Sequence, residues 1–180
     1  MKGALIAVIV LVVIIVIGVF TLKGDKAQPG NTTDEVVERQ EVLDQAPSFA
    51  LKDYNGNVVT SRDFDGKSLV INSWAAWCPF CVDELPDFAQ IQEEFADDVV
   101  FIAINRRESL ETAKGFTDSL GLSDSMVFLL DPDDSFYRSI GGFSMPETIL
   151  VTENAGIQFH KRGPMDLDET RSRVQSLIES

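Results

Sequence analysis

The sequence predicts an α/β domain in which buried β-strands alternate with helices. Two compact apolar runs, SLVINSW (Ser68 to Trp74) and VVFIAIN (Val99 to Asn105), have the length and composition of buried strands. A segment of helical length follows each run, and in PFCVDELPDFAQIQEEFADD (79–98) the apolar residues recur at helical spacing. With a pair of strands and a helix near the C-terminus, the predicted core order is β-α-β-α-β-β-α.

The other elements follow along the chain. The segment APSFALKDYNGNVVT predicts a β-hairpin turning at Asn55 and Gly56 in front of the core. SLETAKGFTDSLGL predicts the second helix, and a strand and short helix are expected as an insertion near 122–141. SMPETILVTENAGIQFHKRG predicts a second hairpin. LDETRSRVQSLIES predicts the closing helix, capped near Asp166 or Asp168.

The N-terminus predicts a membrane anchor over residues 1–22. Twenty uncharged residues separate Lys2 from Lys23, and ALIAVIVLVVIIVIGVF (Ala4 to Phe20) is unbroken. Twenty helical residues span roughly 30 Å, the thickness of the hydrocarbon core of a bilayer. A cleaved signal peptide is the main alternative, but the nearest candidate cleavage site ends at Ala27 and has Asp25 where a small residue is needed. We therefore expect an uncleaved signal-anchor with a cytoplasmic N-terminus and the rest of the chain outside the cytoplasm.

A polar, acidic tether over 23–45 is predicted to join the anchor to a folded domain over 46–180. From Gly24 onward the chain holds all 29 acidic residues and 13 of the 15 basic ones, a balance of −16. Nucleic acid is therefore excluded as an expected partner, because phosphate binding needs a basic face. The negative charge is expected to keep the domain soluble.

The chain has only two cysteines, Cys78 and Cys81, in the stretch WAAWCPFCVDELP between the first buried strand and the first helix. Two cysteines are too few for a disulfide scaffold. A tetrahedral zinc site is also disfavoured, since His160 is the only histidine and lies far along the chain. We expect no metal or other cofactor apart from a redox-active Cys78–Cys81 disulfide.

The position of the CxxC motif predicts its chemistry. Pro79 suits the first helical position, so Cys78 lies at the helix tip, where unpaired N–H groups and the helix dipole stabilise a thiolate. Cys81, three residues on, faces inward and can close a small disulfide ring. The thiolate attacks in disulfide exchange and a neighbouring thiol resolves the mixed disulfide. Cys78 is therefore the predicted nucleophile and Cys81 the resolving cysteine.

These residues resemble a known family. WAAWCPFC followed by ELP, the opening APSFALKDYNGNVV, the approach SRDFDGKSLVINSW and the later SMPETILV look like the thioredoxin superfamily. The match is to the TlpA/ResA-like group of membrane-anchored thiol-disulfide oxidoreductases with a redoxin-like domain, from about Ala46 to the C-terminus. The resemblance implies a thioredoxin fold, with a central mixed sheet flanked by helices, and makes the 122–141 insertion a usual addition of that group.

The resemblance also implies site residues outside the CxxC motif. Met145 and Pro146 match the cis-proline loop that faces the cysteines, where the backbone of Met145 would pair with an extended substrate strand. Glu84 matches a glutamate after the motif, and a helix would place it on the same face as Cys81, where it could take or give a proton. A simpler reading of Glu84 is an acid favoured by the dipole in a first helical turn.

The remaining site residues surround the cysteines. Trp77, Pro79 and Phe80 are predicted to contact the substrate, with Met145 and Pro146. The Pro-Phe pair departs from the Gly-Pro or Glu-Pro of many relatives and is closer to glutaredoxin-like and DsbA-like motifs, so the direction of electron flow stays open.

Three other residues are predicted to lie away from the chemistry. His160 is expected at a surface or edge position. Arg106 and Arg107, which follow the second buried strand, are expected to be solvated.

The predicted function is exchange or reduction of disulfides in protein substrates, in cytochrome c maturation or in disulfide formation or repair. A membrane-embedded thiol transporter could supply electrons by family analogy. Two alternatives stay open. A peroxiredoxin-like peroxidase would need Thr or Ser where Ala75 stands. A metal- or haem-handling assembly module would use the cysteines as soft ligands.

Overall fold

The computed structural model describes residues 44–180, which form one seven-stranded mixed sheet with four α-helices. The strands are β1 (Ala50–Asp53), β2 (Val58–Thr60), β3 (Ser68–Trp74), β4 (Val99–Arg106), β5 (Val127–Asp131), β6 (Glu147–Val151) and β7 (Ile157–Arg162). The helices are α1 (Pro79–Glu94), α2 (Leu110–Ser119), α3 (Ser135–Ser139) and α4 (Leu167–Ile178), with a 3-10 turn at Ser61–Phe64. The predicted core order and the insertion are confirmed.

Strand β3 lies in the interior of the sheet, whose order is β2-β1-β5-β4-β3-β6-β7. All seven of its residues are buried, as its apolar sequence predicts. It pairs in parallel with β4 and antiparallel with β6, where Ser73 lies opposite Glu147. The carboxyl end of β3 and the start of β6 therefore lie side by side at the same end of the sheet.

Side chains of β3 alternate between two apolar layers. Val70 packs in a cluster with residues of α1 and α4, whereas Ile71 packs with Phe136 and Ile140 of the insertion. Because successive side chains of a strand point to opposite faces, α3 covers the face opposite α1 and α4. The fold is thus a sheet between helical layers.

The first hairpin joins the same sheet through the insertion. Strand β1 pairs with β2 and, on its other side, with β5, which also pairs in parallel with β4. The turn forms as predicted: Gly56 has φ +84°, and the carboxylate of Asp53 accepts hydrogen bonds from the N–H groups of Asn55 and Asn57, both at 2.8 Å. The insertion is therefore the only link in the sheet order between the hairpin and the core strands.

The predicted anchor, and all of the predicted tether except its last two residues, lie outside the described residues. Within 44–180, no helix is both long and apolar enough to cross a bilayer. Regular contacts begin at Asp44, whose carbonyl accepts from Ile157 N–H, and Ala46 N–H donates to the carbonyl of Ala155. The start of the described segment is thereby fixed to the turn between β6 and β7.

The expectation that Arg106 is solvated is wrong. Its guanidinium makes two hydrogen bonds to Asp134, at 2.9 and 2.7 Å, and lies 3.5 Å from the centre of the Tyr137 ring. The Asp134 carboxylate has a lowered pKa, chiefly because it accepts these hydrogen bonds. Arg107, by contrast, keeps a side chain that is 70% exposed, as expected.

The Tyr137 ring fills the space beside Gly142. A Cβ atom at Gly142 would lie 2.5 Å from a carbon of that ring, whereas one at Gly115, in α2, would meet nothing within 4 Å. The Tyr137 ring cannot retreat freely, because Arg106 covers it. The loop after α3 can therefore approach Tyr137 this closely only with glycine at 142.

We predict opposite effects of two Gly→Ala substitutions on the free energy of unfolding, measured by urea denaturation. Gly142→Ala should lower it by roughly 1–3 kcal/mol, through overpacking against Tyr137. Gly115→Ala, the control, should raise it by roughly 0.5–1 kcal/mol, because alanine is the better helix former. Equal effects of the two substitutions would contradict the packing described here.

Candidate active site

The two cysteines lie where β3 passes into α1. Cys78 is the N-cap of α1 and Pro79 occupies its first turn, as the sequence predicts. The sulfurs of Cys78 and Cys81 form a disulfide, and Cys81 N–H donates to Cys78 Sγ at 3.2 Å. A backbone donor aimed at this sulfur at the positive end of a helix stabilises negative charge there. Cys78 is therefore the sulfur better placed to act as a thiolate.

The cysteines themselves are buried, but their neighbours are not. Cys78 is 2% and Cys81 0% exposed, whereas Trp77 is 63% and Phe80 57% exposed. Two large apolar side chains thus stand in solvent beside a nearly covered disulfide. Exposed apolar groups around a reactive centre are a typical contact surface for a partner.

The segment Ser144–Pro146 brings the second predicted part of the site to the cysteines. The Met145–Pro146 peptide bond is cis, and Glu147 immediately after it begins β6. The Met145 side chain packs against the apolar cluster that contains Cys78 and Cys81. The structure therefore brings the CxxC motif and the cis-proline loop together at the end of the sheet where β3 ends.

Glu84 lies in α1, one turn beyond Cys81, and is 2% exposed. Its Oε1 accepts from Met165 N–H at 2.9 Å and its Oε2 from Asn72 Nδ2 at 3.1 Å. Burial raises the pKa of its carboxyl to about 8, against the two hydrogen bonds, which lower it. A carboxyl that titrates near neutral pH is suited to proton transfer. An acid favoured only by the helix dipole would be expected in solvent, whereas Glu84 is buried.

Glu147 is a site residue that the sequence did not predict. Its side chain is fully buried, and its Oε2 accepts from the N–H groups of Phe143 and Ser144 at 3.1 and 3.2 Å. Its Oε1 lies 2.7 Å from His160 Nε2. His160 belongs to β7, the last strand in the sheet order, and so lies at an edge position as expected. Glu147 therefore fixes the loop that leads into Pro146.

Two further residues support the loops of the site. The Tyr137 hydroxyl donates to the carbonyl of Ser144 at 2.7 Å. On the other side, Glu108 Oε2 accepts from Ala76 N–H, just before the CxxC motif, at 2.9 Å, and from Asn105 Nδ2 at 2.6 Å. No local sequence pattern marks either residue, because both contacts depend on tertiary packing.

Among residues 44–180, no group of three or more His, Cys, Asp or Glu side chains is arranged to hold a metal ion.

Comparison with known proteins gives one family match and several curated relatives. The redoxin family model matches residues 41–178. Thiol-disulfide oxidoreductase ResA of Halalkalibacterium halodurans is 32% identical over 137 residues, covering 76% of this chain and 74% of the relative. Thiol:disulfide interchange protein DsbE of Allochromatium vinosum is 32% identical over 136 residues, covering 74% and 73%.

Solved structures agree with the fold. The structure of dsbF from MTB, in mixed oxidized and reduced forms, has a TM-score of 0.67 at 26% identity and covers 72% of this chain and 94% of that one. A putative DsbE from Chlorobium tepidum has a TM-score of 0.67 at 27% identity, covering 74% and 94%.

These findings confirm the predicted fold and enzyme class. The central mixed sheet with flanking helices is the thioredoxin fold, and the relatives support a thiol-disulfide oxidoreductase. The match to the redoxin model extends over three quarters of the chain and includes both cysteines. The chain therefore belongs to the redoxin family of the thioredoxin superfamily, and within it resembles the ResA and DsbE proteins.

Proposed function

We propose that this protein is a membrane-tethered oxidoreductase that exchanges disulfides with protein substrates outside the cytoplasm, through Cys78 and Cys81. One observation carries the proposal: Cys78 Sγ caps α1 and accepts the Cys81 N–H, opposite a cis-proline loop. The names of the relatives, thiol-disulfide oxidoreductase and thiol:disulfide interchange protein, support the same chemistry.

The reaction needs only the two sulfurs and a substrate disulfide. In the reduced protein, the Cys78 thiolate attacks one substrate sulfur, the substrate S–S bond breaks, and the departing thiolate takes up a proton. The Cys81 thiolate then attacks Cys78 Sγ and releases the second substrate thiolate. Two electrons pass to the substrate and the Cys78–Cys81 disulfide forms. The same steps in reverse oxidise a substrate dithiol.

Glu84 is the proposed proton carrier for Cys81. It follows Cys81 by one helical turn in α1, and both side chains are buried. A thiol in such surroundings needs a nearby base before it can attack, since bulk water is excluded. A carboxyl whose pKa is about 8 is partly ionised near neutral pH, so its ionised form can accept that proton and its protonated form can return one in the reverse reaction.

Met145 and Pro146 are proposed to hold the substrate as an extended strand. Met145 packs beside the cysteines, so the loop backbone lies within reach of a chain bound to Cys78. Trp77, Pro79 and Phe80 would contact the same substrate from the other side of the disulfide. All three residues are exposed, and the Trp77 and Phe80 rings offer the substrate apolar area.

The membrane tether and its partners complete the proposal. The uncharged run Ala4 to Phe20 has the length and composition of a spanning helix, so the redox domain would be held at the outer face of the membrane. A membrane-embedded thiol transporter would supply electrons there. Apocytochrome c thiols and disulfides of exported proteins are the substrates that fit this location.

We predict distinct outcomes for the two cysteine variants in an exchange assay with a disulfide-bonded model protein. Cys78→Ser should abolish exchange, because the attacking sulfur is gone. Cys81→Ser should instead accumulate a mixed disulfide between Cys78 and the substrate, visible as a reducible adduct on a non-reducing gel. Full activity of the Cys78→Ser protein would overturn the assignment of roles.

Glu84 should make stability depend on pH. The folded state keeps a proton that the unfolded state releases above the ordinary value of 4.5, so the free energy of unfolding should fall as the pH rises from about 4.5 to about 8. Urea denaturation of the oxidised protein, in which no thiol titrates, measures this fall. Glu84→Gln should remove most of it, and Asp83→Asn, its exposed neighbour, should not.

The same variant tests the catalytic role of Glu84. Glu84→Gln should slow resolution of the mixed disulfide by about 100-fold or more, the usual contribution of a positioned acid-base group. Stopped-flow measurement of substrate release follows this step. A Glu84→Gln protein that resolves at the rate of Asp83→Asn would leave Glu84 a purely structural residue.

The proposed tether predicts where the protein is found in the cell. The full-length chain should remain with membranes after alkaline carbonate washing, and a variant lacking residues 3–22 should not, because only the apolar run holds it there. Protease added to spheroplasts should degrade the redox domain. Protection of that domain until the membrane is lysed would contradict the proposed orientation.

A further inference from the structure

The Phe143 side chain is the most exposed large apolar group in the described residues, at 71%. Of the four most exposed such groups, Trp77 and Phe80 flank the cysteines, Phe143 precedes the cis-proline loop, and only Val58 lies elsewhere, on β2. A single exposed apolar residue is ordinary in a folded protein. The concentration of three aromatic rings on the two segments that form the active site calls for a specific explanation.

The backbone around Phe143 is fixed at successive atoms. The N–H groups of Phe143 and Ser144 both donate to the buried Glu147 carboxylate, and the Ser144 carbonyl accepts from the Tyr137 hydroxyl. Gly142, on the other side, packs directly against the Tyr137 ring. The loop therefore holds an apolar ring in solvent without the backbone freedom that would let it turn inward.

An aromatic ring on a fixed backbone is a favourable binding anchor. The loop need not be ordered when a partner covers the ring, so the apolar burial is gained at a smaller further cost. Aromatic residues, phenylalanine among them, are enriched in the buried core of protein–protein interfaces. The ring also has a cation beside it, since the Arg162 guanidinium carbon lies 5.0 Å from its centre.

We propose that Phe143 determines substrate specificity: it binds a large apolar side chain of an extended polypeptide substrate, close to the cysteine that reacts with Cys78. This inference rests on the proposed function and names its substrate class. Phe143 is two residues before Met145, and an extended chain advances about 3.3 Å per residue, so the bound side chain lies within about three residues of the substrate cysteine.

The test uses symmetrical disulfide dimers of short peptides with a single cysteine. Leu, Ser or Lys is placed at one of the three positions on either side of that cysteine. The reduced full-length protein is mixed with each dimer, and the second-order rate constant of exchange is measured. Glutathione disulfide, which has no such side chain, reports the thiol chemistry alone.

Wild-type protein should react about tenfold faster with the best Leu peptide than with the matching Ser peptide, a factor expected for a partly buried apolar contact, and faster than with the matching Lys peptide. Phe143→Ala should lose this preference, while Phe143→Leu keeps most of it. Val58→Ala removes another exposed apolar side chain, on β2, and should change nothing. All variants should react with glutathione disulfide at the wild-type rate.

Three results would overturn the inference. The first is a wild-type protein that does not distinguish Leu from Ser at any position. The second is a Phe143→Ala protein that keeps the preference. The third is an equal loss with glutathione disulfide, which would place Phe143 in the support of the cysteines. If wild-type protein failed to exchange with glutathione disulfide as well as with every peptide, the proposed function itself would fail.

Discussion

The antiparallel pairing of β3 with β6 is the constraint on which the active site depends. It sets the end of one strand opposite the start of the other, with Ser73 facing Glu147. The segment that leaves β3 carries the cysteines, and the segment that enters β6 carries the cis-proline. The pairing of β3 with β6 ends at Ser73 and Glu147, so hydrogen bonds in the sheet beneath set the separation of these two segments. A shift of one residue in this register would move every side chain of β6 to the opposite face of the sheet and remove the site.

Buried and partly buried acidic groups hold the loops above the sheet. Glu147 is buried with its carboxylate hydrogen-bonded to loop N–H groups and next to His160, and the partly buried Glu108 binds the N–H of Ala76 on the opposite loop. Glu84 also accepts two hydrogen bonds, but burial outweighs them and raises its pKa to about 8. Glu147 and Glu108 thus position backbone, and Glu84 is the carboxyl that we propose for proton transfer.

The sequence was sufficient to predict the elements and the position of the cysteines at a helix tip, but not the contacts that support them. Alternating and helical periodicities gave the order of strands and helices, and the position of Cys78 and Pro79 predicted the helix tip correctly. Family resemblance indicated the loop at Pro146. The contacts of Arg106 with Asp134 and Tyr137 were missed, since a basic residue after a strand usually lies in water and its partners come from the insertion. Such contacts depend on tertiary packing, which local periodicity does not encode.

The place of β5 in the sheet has a consequence for the order in which the chain assembles. A two-stranded hairpin is only marginally stable alone. Strands β1 and β2 are synthesised first in the domain, but β1 finds its second neighbour only when Leu129 and Leu130 of β5 have been made. During synthesis, the leading hairpin therefore has an unpaired edge until about half of the domain has followed it. Such edges invite pairing with other chains, so newly made molecules are most vulnerable to aggregation before β5 is complete.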